Sequence, residues 1–165
     1  TAQFRQKIQQ LRFHFPTMAI TSDVIVGFPG ETDEEFEATL QFVESLSFAG
    51  LHVFPFSPRK GTPAASMANQ IPNNIKKQRV KQLIDLATQQ SLKFASTFQN
   101  KVVDVLFETY NVDLQQAKGH AGNYLKVLCD HVGFDPTNQI LSVELIDTGF
   151  PINYGIIKKN KEDLL

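Results

Sequence analysis

The spacing of apolar residues changes near residue 99, and this change constrains the fold of the chain more than any other feature. Before it, apolar residues recur at helical spacing around two short, continuous apolar runs. After it, apolar and polar residues alternate, as in Val103, Val105 and Phe107. The first pattern is typical of helices that alternate with buried strands, and the second of strands with one buried face. We therefore predict an α/β domain over residues 1–98 and a small β domain over residues 99–165.

The overall composition excludes several classes of protein. Of the 165 residues, 42% are hydrophobic and 20% are charged, which is typical of a folded globular protein rather than a disordered or low-complexity chain. The net charge of −1 does not by itself predict binding to nucleic acid. The single cysteine, Cys129, excludes a disulfide framework within this chain. Because the chain has no disulfide framework, we expect a reducing, cytoplasmic setting. Because Cys129 alternates with Val127 and Leu125, we expect its thiol to be buried.

The first domain is expected to contain two strands, over residues 18–28 and 51–56. The apolar run Val24-Ile25-Val26 predicts a strand that is buried on both faces, as in a parallel sheet covered by helices. Two strands are too few to close a sheet, and the chain starts without Met inside a helical pattern. We therefore interpret the sequence as a fragment, whose missing strands lie upstream or come from a partner chain.

Helices are expected on either side of these strands. The helix between the strands is predicted to begin at a capping box formed by Thr32 and Glu35 and to end at Gly50. A long helix is predicted over residues 72–98, and its run of basic residues is expected to form a solvated face. That run consists of Lys76, Lys77, Arg79 and Lys81.

The second domain is expected to contain about five short strands, because turn residues divide its alternating pattern. The turns are predicted over residues 111–113, 119–123, 135–138 and 148–149. A last strand is predicted over residues 153–158, with a polar tail over residues 158–163. Strands this short and this numerous favour a small closed antiparallel barrel of the OB-like type, since closure removes unpaired strand edges.

The strongest candidate for a ligand site lies where the first strand ends. Gly27 and Gly30 permit a positive φ and the close approach of backbone to a ligand. The N-terminus of the helix that follows can bind an anion, and ligands of α/β folds bind at this end of the strands. A tight strand-to-helix turn without any ligand is the alternative.

The second strand and the loop after it form another candidate site. Pro55 restricts the strand to an edge or terminal position, where free backbone groups can read the edge of an adenine. Arg59 and Lys60 in the loop can meet phosphates. The alternative is a surface loop stiffened by proline, with solvated charges.

Binding of RNA by the second domain requires a local basic patch, because residues 99–165 carry six Lys or Arg and nine Asp or Glu. The candidates for this patch are Lys118, Asn123, Tyr124 and Lys126. Tyr124 is predicted to point outward, where its ring can stack on a base. An exposed cross-strand pair without a ligand is the alternative.

Three segments together resemble one family of enzymes. Residues 23–32 read Asp-Val-Ile-Val-Gly-Phe-Pro-Gly-Glu-Thr, and residues 51–64 contain Ser-Pro-Arg-Lys-Gly-Thr-Pro-Ala. Both resemble the last βα units of the radical SAM methylthiotransferases that modify tRNA, and the second domain resembles the TRAM domain of those enzymes. Residues 118–127, Lys-Gly-His-Ala-Gly-Asn-Tyr-Leu-Lys-Val, look like the branch that acts on N6-threonylcarbamoyladenosine beside the anticodon.

The resemblance implies both a fold and a function. The first domain would be the C-terminal βα units of a partial (β/α)6 barrel, and the second a TRAM barrel that binds tRNA. The full-length enzyme would use S-adenosylmethionine and two 4Fe–4S clusters to add a methylthio group to C2 of the adenosine. The implied S-adenosylmethionine-binding residues are Val24, Ile25, Gly27, Phe54, Pro55, Phe56 and Ser57. The implied RNA-binding residues are Arg59, Lys60, Lys118, Asn123, Tyr124 and Lys126.

The cysteines that hold the clusters in that family are absent from this sequence, whose only cysteine is Cys129. We therefore expect this chain to contain no catalytic residue, to bind no cofactor alone, and to be inactive without the missing N-terminal part of the protein. The alternatives are an isopentenyladenosine or ribosomal-protein methylthiotransferase, an oxygen-independent coproporphyrinogen oxidase, and a non-catalytic RNA-binding module. The second domain argues against the porphyrin enzyme.

Overall fold

A computed structural model describes residues 1–158 of the chain. They form two compact units, which divide between Ser91 and Leu92. The helices are α1 (Ala2–His14), α2 (Asp33–Leu46), α3 (Pro63–Ser66) and α4 (Asn73–Ser96). The strands are β1 (Thr21–Val26), β2 (Gly50–Pro55), β3 (Val102–Asn111), β4 (Gln116–Ala121), β5 (Lys126–Cys129), β6 (Ile140–Asp147) and β7 (Asn153–Ile157). The predicted α/β unit followed by a small β-barrel is confirmed. Beyond residue 158, the predicted polar tail lies outside the described residues.

In the first unit, β1 and β2 pair in parallel, with Val24 opposite Val53 and Ile25 opposite Phe54. Helix α2 connects the two strands, so the segment is a βαβ unit, as the sequence predicted. Parallel pairing brings the carboxyl ends of both strands to the same edge of the sheet. The backbone therefore places Val26 directly opposite Pro55 at that edge.

The expectation that β1 is buried on both faces is wrong within the described residues. Val24 and Val53 pack on a core that α1, α2 and α4 supply, and Val26 is fully buried. On the other face, Ile25 is 58% exposed and Phe54 is 50% exposed. The reason is that the helices of the unit contribute to only one core, which lies on the Val24 side of the pair.

Helix α2 has the N-terminus that the sequence predicted and a different C-terminus. The Thr32 hydroxyl accepts a hydrogen bond from the Glu35 N–H, and the Glu35 carboxylate accepts one from the Thr32 N–H, which completes the capping box. The helix ends at Leu46, and Ser47 follows in the left-handed conformation at φ 50°. Gly50, which was expected to end this helix, is instead the first residue of β2.

Helix α4 runs over nearly the predicted range. Its residues Leu83 and Ala87 are buried, and the side chain of its Gln90 donates to the Val43 carbonyl of α2 and accepts from the Phe48 N–H. Ala95 and Phe98, at and just beyond its C-terminal end, belong to the core of the second unit. None of the helices described within residues 1–158 contains an apolar stretch of the length that a membrane-spanning helix needs.

The second unit is a closed barrel with strand order β3-β4-β5-β7-β6. Val105, Phe107, Val127, Val143 and Leu145 fill its interior and are almost completely buried. The barrel was expected to be antiparallel throughout, but β5 and β7 pair in parallel. Five strands cannot alternate in direction around a closed ring, because the number is odd, so at least one parallel pair is required. The order and the parallel pair agree with the OB-like type.

Strand β4 was missed in the sequence, because residues 119–123 were predicted to form a turn. Gly119, His120 and Ala121 are part of β4 instead. A Cβ at Gly119 would lie 2.1 Å from the carbonyl oxygen of Leu106. This glycine is therefore required by the close approach of β3 and does not form a turn. Strand β3 also has a bulge between Phe107 and Thr109 in this region.

Candidate functional site

The first candidate site is the edge where β1 and β2 end. The Phe56 N–H donates to the Val26 carbonyl at 2.8 Å, which extends the pairing by one residue. The Lys76 ammonium, reaching across from α4, donates to the Phe56 carbonyl at 3.0 Å. The backbone at the end of β2 is therefore fixed from both sides.

The turn after β1 is held by the side chain of Glu31. The Gly27 N–H donates to the Glu31 carboxylate at 2.7 Å. Gly27 has φ 72°, and a Cβ at this position would lie 2.3 Å from Cγ of Lys76. Within the described residues, the group that approaches Gly27 closely is the aliphatic part of Lys76. The close approach of a ligand at Gly27 stays a prediction.

Two members of the basic run on α4 are buried, which corrects the expectation of a solvated face. Arg79 is only 4% exposed and donates to the Glu31 carboxylate at 2.5 Å and to Asp33 at 2.7 Å. Lys76 is buried as well, whereas Lys77 and Lys81 face solvent. Burial alone would lower the pKa of Arg79, but its bonds to Asp33 and Glu31 outweigh burial, and the net shift is upward. The turn and α4 are thus joined by a charged network rather than by apolar contacts alone.

The predicted S-adenosylmethionine-binding residues lie on both sides of this edge. The side chain of Val24 packs in the core, so only its backbone remains for a ligand on the exposed face. Ile25 and Phe54 form an exposed apolar surface on neighbouring strands, and Pro55 and Ser57 are exposed where β2 ends. An apolar surface beside strand ends fits the adenine of such a cofactor.

The described residues do not fit an iron–sulfur cluster. Cys129 is almost completely buried in the barrel, and burial raises the pKa of its thiol from 9.0 to about 12. A cluster requires several cysteine thiolates, and this sequence has one cysteine. No group of three or more His, Cys, Asp or Glu residues within residues 1–158 is arranged to hold a metal ion. We therefore assign no step of a reaction to a cluster held by these residues.

Arg59 and Lys60 lie in the first unit, in the loop between β2 and α3. Both are exposed, and the Arg59 carbonyl accepts hydrogen bonds from the Thr62 N–H and hydroxyl. A phosphate-binding role for their side chains stays a prediction.

The second candidate site is the outer surface of β4 and β5. Lys118 and Lys126 both point outward and line a groove of about 210 Å³. His120 is the cross-strand partner of Lys126 and lies between the two lysines on this surface. The structure therefore brings together two of the predicted RNA-binding cations. Neighbouring like charges of this kind attract an anion such as a phosphate.

The turn between β4 and β5 carries the other two predicted residues. Tyr124 is 80% exposed and has φ 64°, so its ring projects from the turn into solvent. The Asn123 side chain accepts a hydrogen bond from the Leu125 N–H at 3.4 Å. Tyr124 is therefore available for stacking, while Asn123 contributes to the shape of the turn.

A second, larger groove was missed by the sequence analysis. It has a volume of about 680 Å³, and Tyr124 lies at its rim. Its other lining residues are Asp104, Leu106, Glu108, His120, Ala121, Gly122 and Ile140. The signal was present in the sequence, because Asp104, Leu106 and Glu108 alternate with the inward residues of β3 and must share its outer face.

The chain was compared with known proteins, and no family model matches it. It is 39% identical over 163 residues, 97% of its length, to a Bacillus subtilis protein named threonylcarbamoyladenosine tRNA methylthiotransferase MtaB. It is 36% identical over 156 residues to the tRNA-2-methylthio-N(6)-dimethylallyladenosine synthase of Ehrlichia chaffeensis and 43% identical over 105 residues to that of Desulfitobacterium hafniense. The three alignments cover 36%, 35% and 24% of those proteins, and 97%, 88% and 64% of this chain. The chain thus spans about a third of these relatives or less, and its predicted resemblance to the tRNA methylthiotransferases is confirmed.

Proposed function

We propose that this chain, a relative of the tRNA methylthiotransferases, is the part of such an enzyme that forms one wall of the S-adenosylmethionine pocket and that binds tRNA. The first unit would supply the wall, at the ends of β1 and β2. The barrel would bind RNA through Lys118, Lys126 and Tyr124. The reaction of the whole enzyme would be the addition of a methylthio group to C2 of N6-threonylcarbamoyladenosine next to the anticodon.

The observation that carries this proposal is the extent of the alignment with the Bacillus subtilis protein. That alignment includes 163 residues and therefore both units of the chain. Six of the dimethylallyladenosine synthases match between 101 and 124 residues, although their identity reaches 46%. Similarity that extends through the RNA-binding barrel favours the threonylcarbamoyladenosine branch. The Ehrlichia protein, aligned over 156 residues, keeps the dimethylallyladenosine branch as the second candidate.

In this proposal each unit has a physical role that its own residues perform. S-adenosylmethionine, when bound, supplies the chemistry of the transfer together with the clusters of the complete enzyme. The Ile25 and Phe54 side chains give an adenine an apolar surface from which water is excluded. Glu31 and Arg79 fix the turn at Gly27, so the strand end keeps one conformation. Because this wall of the pocket is already rigid, it loses less conformational entropy when the ligand binds.

The barrel's role is to hold the RNA. Lys118 and Lys126 neutralise phosphates, which gives affinity without selecting a sequence. Tyr124 offers a ring for stacking with a base outside a helix. The part of a tRNA that presents such bases is a loop rather than a stem, in agreement with a target beside the anticodon.

A chimeric enzyme tests the branch directly. In a Bacillus subtilis strain that lacks the threonylcarbamoyladenosine relative, the aligned segment of that relative is replaced by residues 1–165 of this chain. We expect mass spectrometry of tRNA nucleosides to show the methylthio group on threonylcarbamoyladenosine. The matched control carries the relative's own segment, reinserted through the same cloning junctions.

Two outcomes would contradict the proposal. If a stable chimera transfers the methylthio group to dimethylallyladenosine instead, the assigned branch is wrong. If a chimera of normal abundance binds neither S-adenosylmethionine nor tRNA while the control binds both, the two units do not have the roles assigned to them.

A further inference from the structure

The larger groove on the barrel has walls that suit a flat, partly apolar ligand. Leu106 of β3 and Ile140 of β6 are direct cross-strand partners, and both are exposed to solvent along the groove. Tyr124 stands at the rim. Apolar side chains that line a concave surface, with an exposed aromatic ring beside them, are the surroundings that proteins use for a nucleobase that has left its stack.

The two acids of the groove, Asp104 and Glu108, offer hydrogen-bond acceptors to a ligand. The Glu108 carboxylate is hydrogen-bonded through Oε2 to Nδ1 of His120 at 2.9 Å. Among residues 1–158, its second oxygen, Oε1, accepts no hydrogen bond. An ionised carboxylate can only accept, so the group that fits beside Glu108 is one that presents N–H donors.

The larger groove adjoins the smaller groove, which contributes the positive charges of two lysines. Glu108 and His120 line both this groove and the smaller one that contains Lys118 and Lys126. A ligand with a donor edge at one end and a phosphate at the other would match this arrangement. A nucleotide is such a ligand, with its base in the larger groove and its phosphate beside the two lysines.

We propose that the larger groove binds one unstacked guanine of single-stranded RNA and that Glu108 reads its Watson–Crick edge. This inference rests on the RNA-binding role proposed above for the barrel. Guanine presents two adjacent donors, N1–H and the N2 amino group, which suit the Glu108 carboxylate, because among the described residues Oε1 is free and Oε2 keeps a second lone pair beside its bond to His120. Adenine and cytosine each present one amino group beside an acceptor nitrogen. Uracil presents a single N–H between two carbonyl oxygens, which the carboxylate repels.

The other acid of the groove provides a matched control. Asp104 lies on the same outer face of β3, four residues before Glu108, and its Oδ1 accepts a hydrogen bond from the Ser142 hydroxyl at 2.9 Å. Four strand residues span roughly 13 Å, so a base beside Glu108 is out of reach of Asp104. Removing either carboxylate changes the net charge of the barrel equally, but only Glu108 is placed to select the base.

The experiment measures the binding of the full chain to single-stranded RNA by fluorescence anisotropy. The probes are oligouridines of about eight nucleotides, a length within the range that an OB-type barrel covers. One probe is uridine throughout, and the others carry a single guanosine, adenosine or cytidine at the centre. We expect the guanosine probe to bind roughly tenfold more tightly than the all-uridine probe, since this is the usual discrimination of a bidentate contact to a base.

Two variants test whether Glu108 is the cause of the preference for guanosine. Glu108→Gln should weaken the guanosine probe and strengthen the all-uridine probe, which removes the preference. Asp104→Asn should strengthen both probes by similar factors and keep the preference. Thermal unfolding of each variant checks that the barrel remains folded.

The results separate this inference from the proposed function. Equal binding of all four probes, or a preference that survives Glu108→Gln, would overturn the guanine site and leave RNA binding intact. Absence of binding to any probe and to tRNA would overturn both, because the barrel would then not be an RNA-binding surface. A preference lost equally in the Asp104 and Glu108 variants would show general electrostatics instead of base reading.

Discussion

At the scale of single residues, Gly27 shows how one position can combine a backbone requirement with a side-chain contact. Its φ of 72° lies in the left-handed region, and the Lys76 side chain fills the space where a Cβ would stand. We expect Gly27→Ala to lower the free energy of unfolding by about 2 kcal/mol or more, because the left-handed conformation alone costs an L-residue about 1–2 kcal/mol. Urea denaturation followed by circular dichroism measures the loss.

Gly30 is the matched control for this prediction. Its φ of 88° is also left-handed, but apart from its chain neighbours no atom of residues 1–158 lies within 4 Å of its Cβ position. Gly30→Ala should therefore show only the conformational cost. Equal losses for the two variants would mean that the contact with Lys76 contributes nothing, and the role of Gly27 would then return to the approach of a ligand.

Cys129 should make the stability of the barrel depend on pH in the alkaline range. The pKa of its thiol is about 12 in the folded chain, against a usual value of 9.0, because burial disfavours the thiolate. Above pH 9 the unfolded chain therefore binds fewer protons than the folded chain, so the free energy of unfolding falls as the pH rises. The slope should approach about 1.4 kcal/mol per pH unit until the pH reaches the folded pKa.

The measurement compares the wild type with Cys129→Ala between pH 8 and 11 by urea denaturation. At pH 8 the variant should be less stable than the wild type because it leaves a cavity, and its stability should not depend on a thiol at higher pH. The difference in stability between the two proteins should therefore shrink as the pH rises. A constant difference would show that the thiol titrates alike in both states.

At the scale of elements, losing one member of the charged network between α4 and the turn after β1 should strongly destabilise the fold, because a buried charge is then left without its partner. Arg79→Ala leaves the Glu31 carboxylate without its buried partner, and removal of one member of such a pair costs about 3–5 kcal/mol. Lys81→Ala, on the exposed side of the same helix, removes only a pair with Asp85 and should cost less than about 0.5 kcal/mol. Chemical denaturation of both variants under one set of conditions gives the comparison. Similar small losses would mean that the network is not coupled to folding.

The same elements show which parts of the fold a sequence can predict. The capping box of Thr32 and Glu35 was predicted correctly, since its contacts are local. The burial of Lys76 and Arg79 was not, because it depends on Phe56 and Glu31, which lie 20 and 48 residues earlier in the chain. A run of lysines and arginines has the same appearance whether its partners are water or acids on another element.

Strand β4 illustrates a second limit. Gly119 has the local signature of a turn, but its reason is the approach of Leu106 from the neighbouring strand. Because β4 was not recognised, the outer face that it forms with β3 was not predicted either. The candidate residues Lys118 and Tyr124 were found from their own types, whereas the groove with Glu108 and His120 required the pairing of the strands.

At the scale of the whole molecule, a net charge of −1 means that RNA affinity must come from the placement of a few cations. Each phosphate that is neutralised on single-stranded RNA contributes about 0.7 to the slope of the logarithm of affinity against the logarithm of salt concentration. Lys118→Ala and Lys126→Ala should each reduce this slope by about 0.7, and the double variant by about 1.4, if both lysines contact phosphates as proposed. Titrations of the full chain with an oligouridine at several salt concentrations measure the slope.

Lys101 is the control that distinguishes the effect of a lysine's position from the effect of the total charge of the barrel. It belongs to the same unit and lies over the ring of Phe98 at 5.7 Å, outside both grooves. Lys101→Ala changes the net charge by the same amount, but it should leave the salt slope unchanged, because no phosphate contact is lost. If all three single variants reduce the slope equally, the RNA responds to the charge of the whole barrel. A reduction confined to Lys118 and Lys126 means that the phosphates follow β4 and β5, as a base beside Glu108 requires.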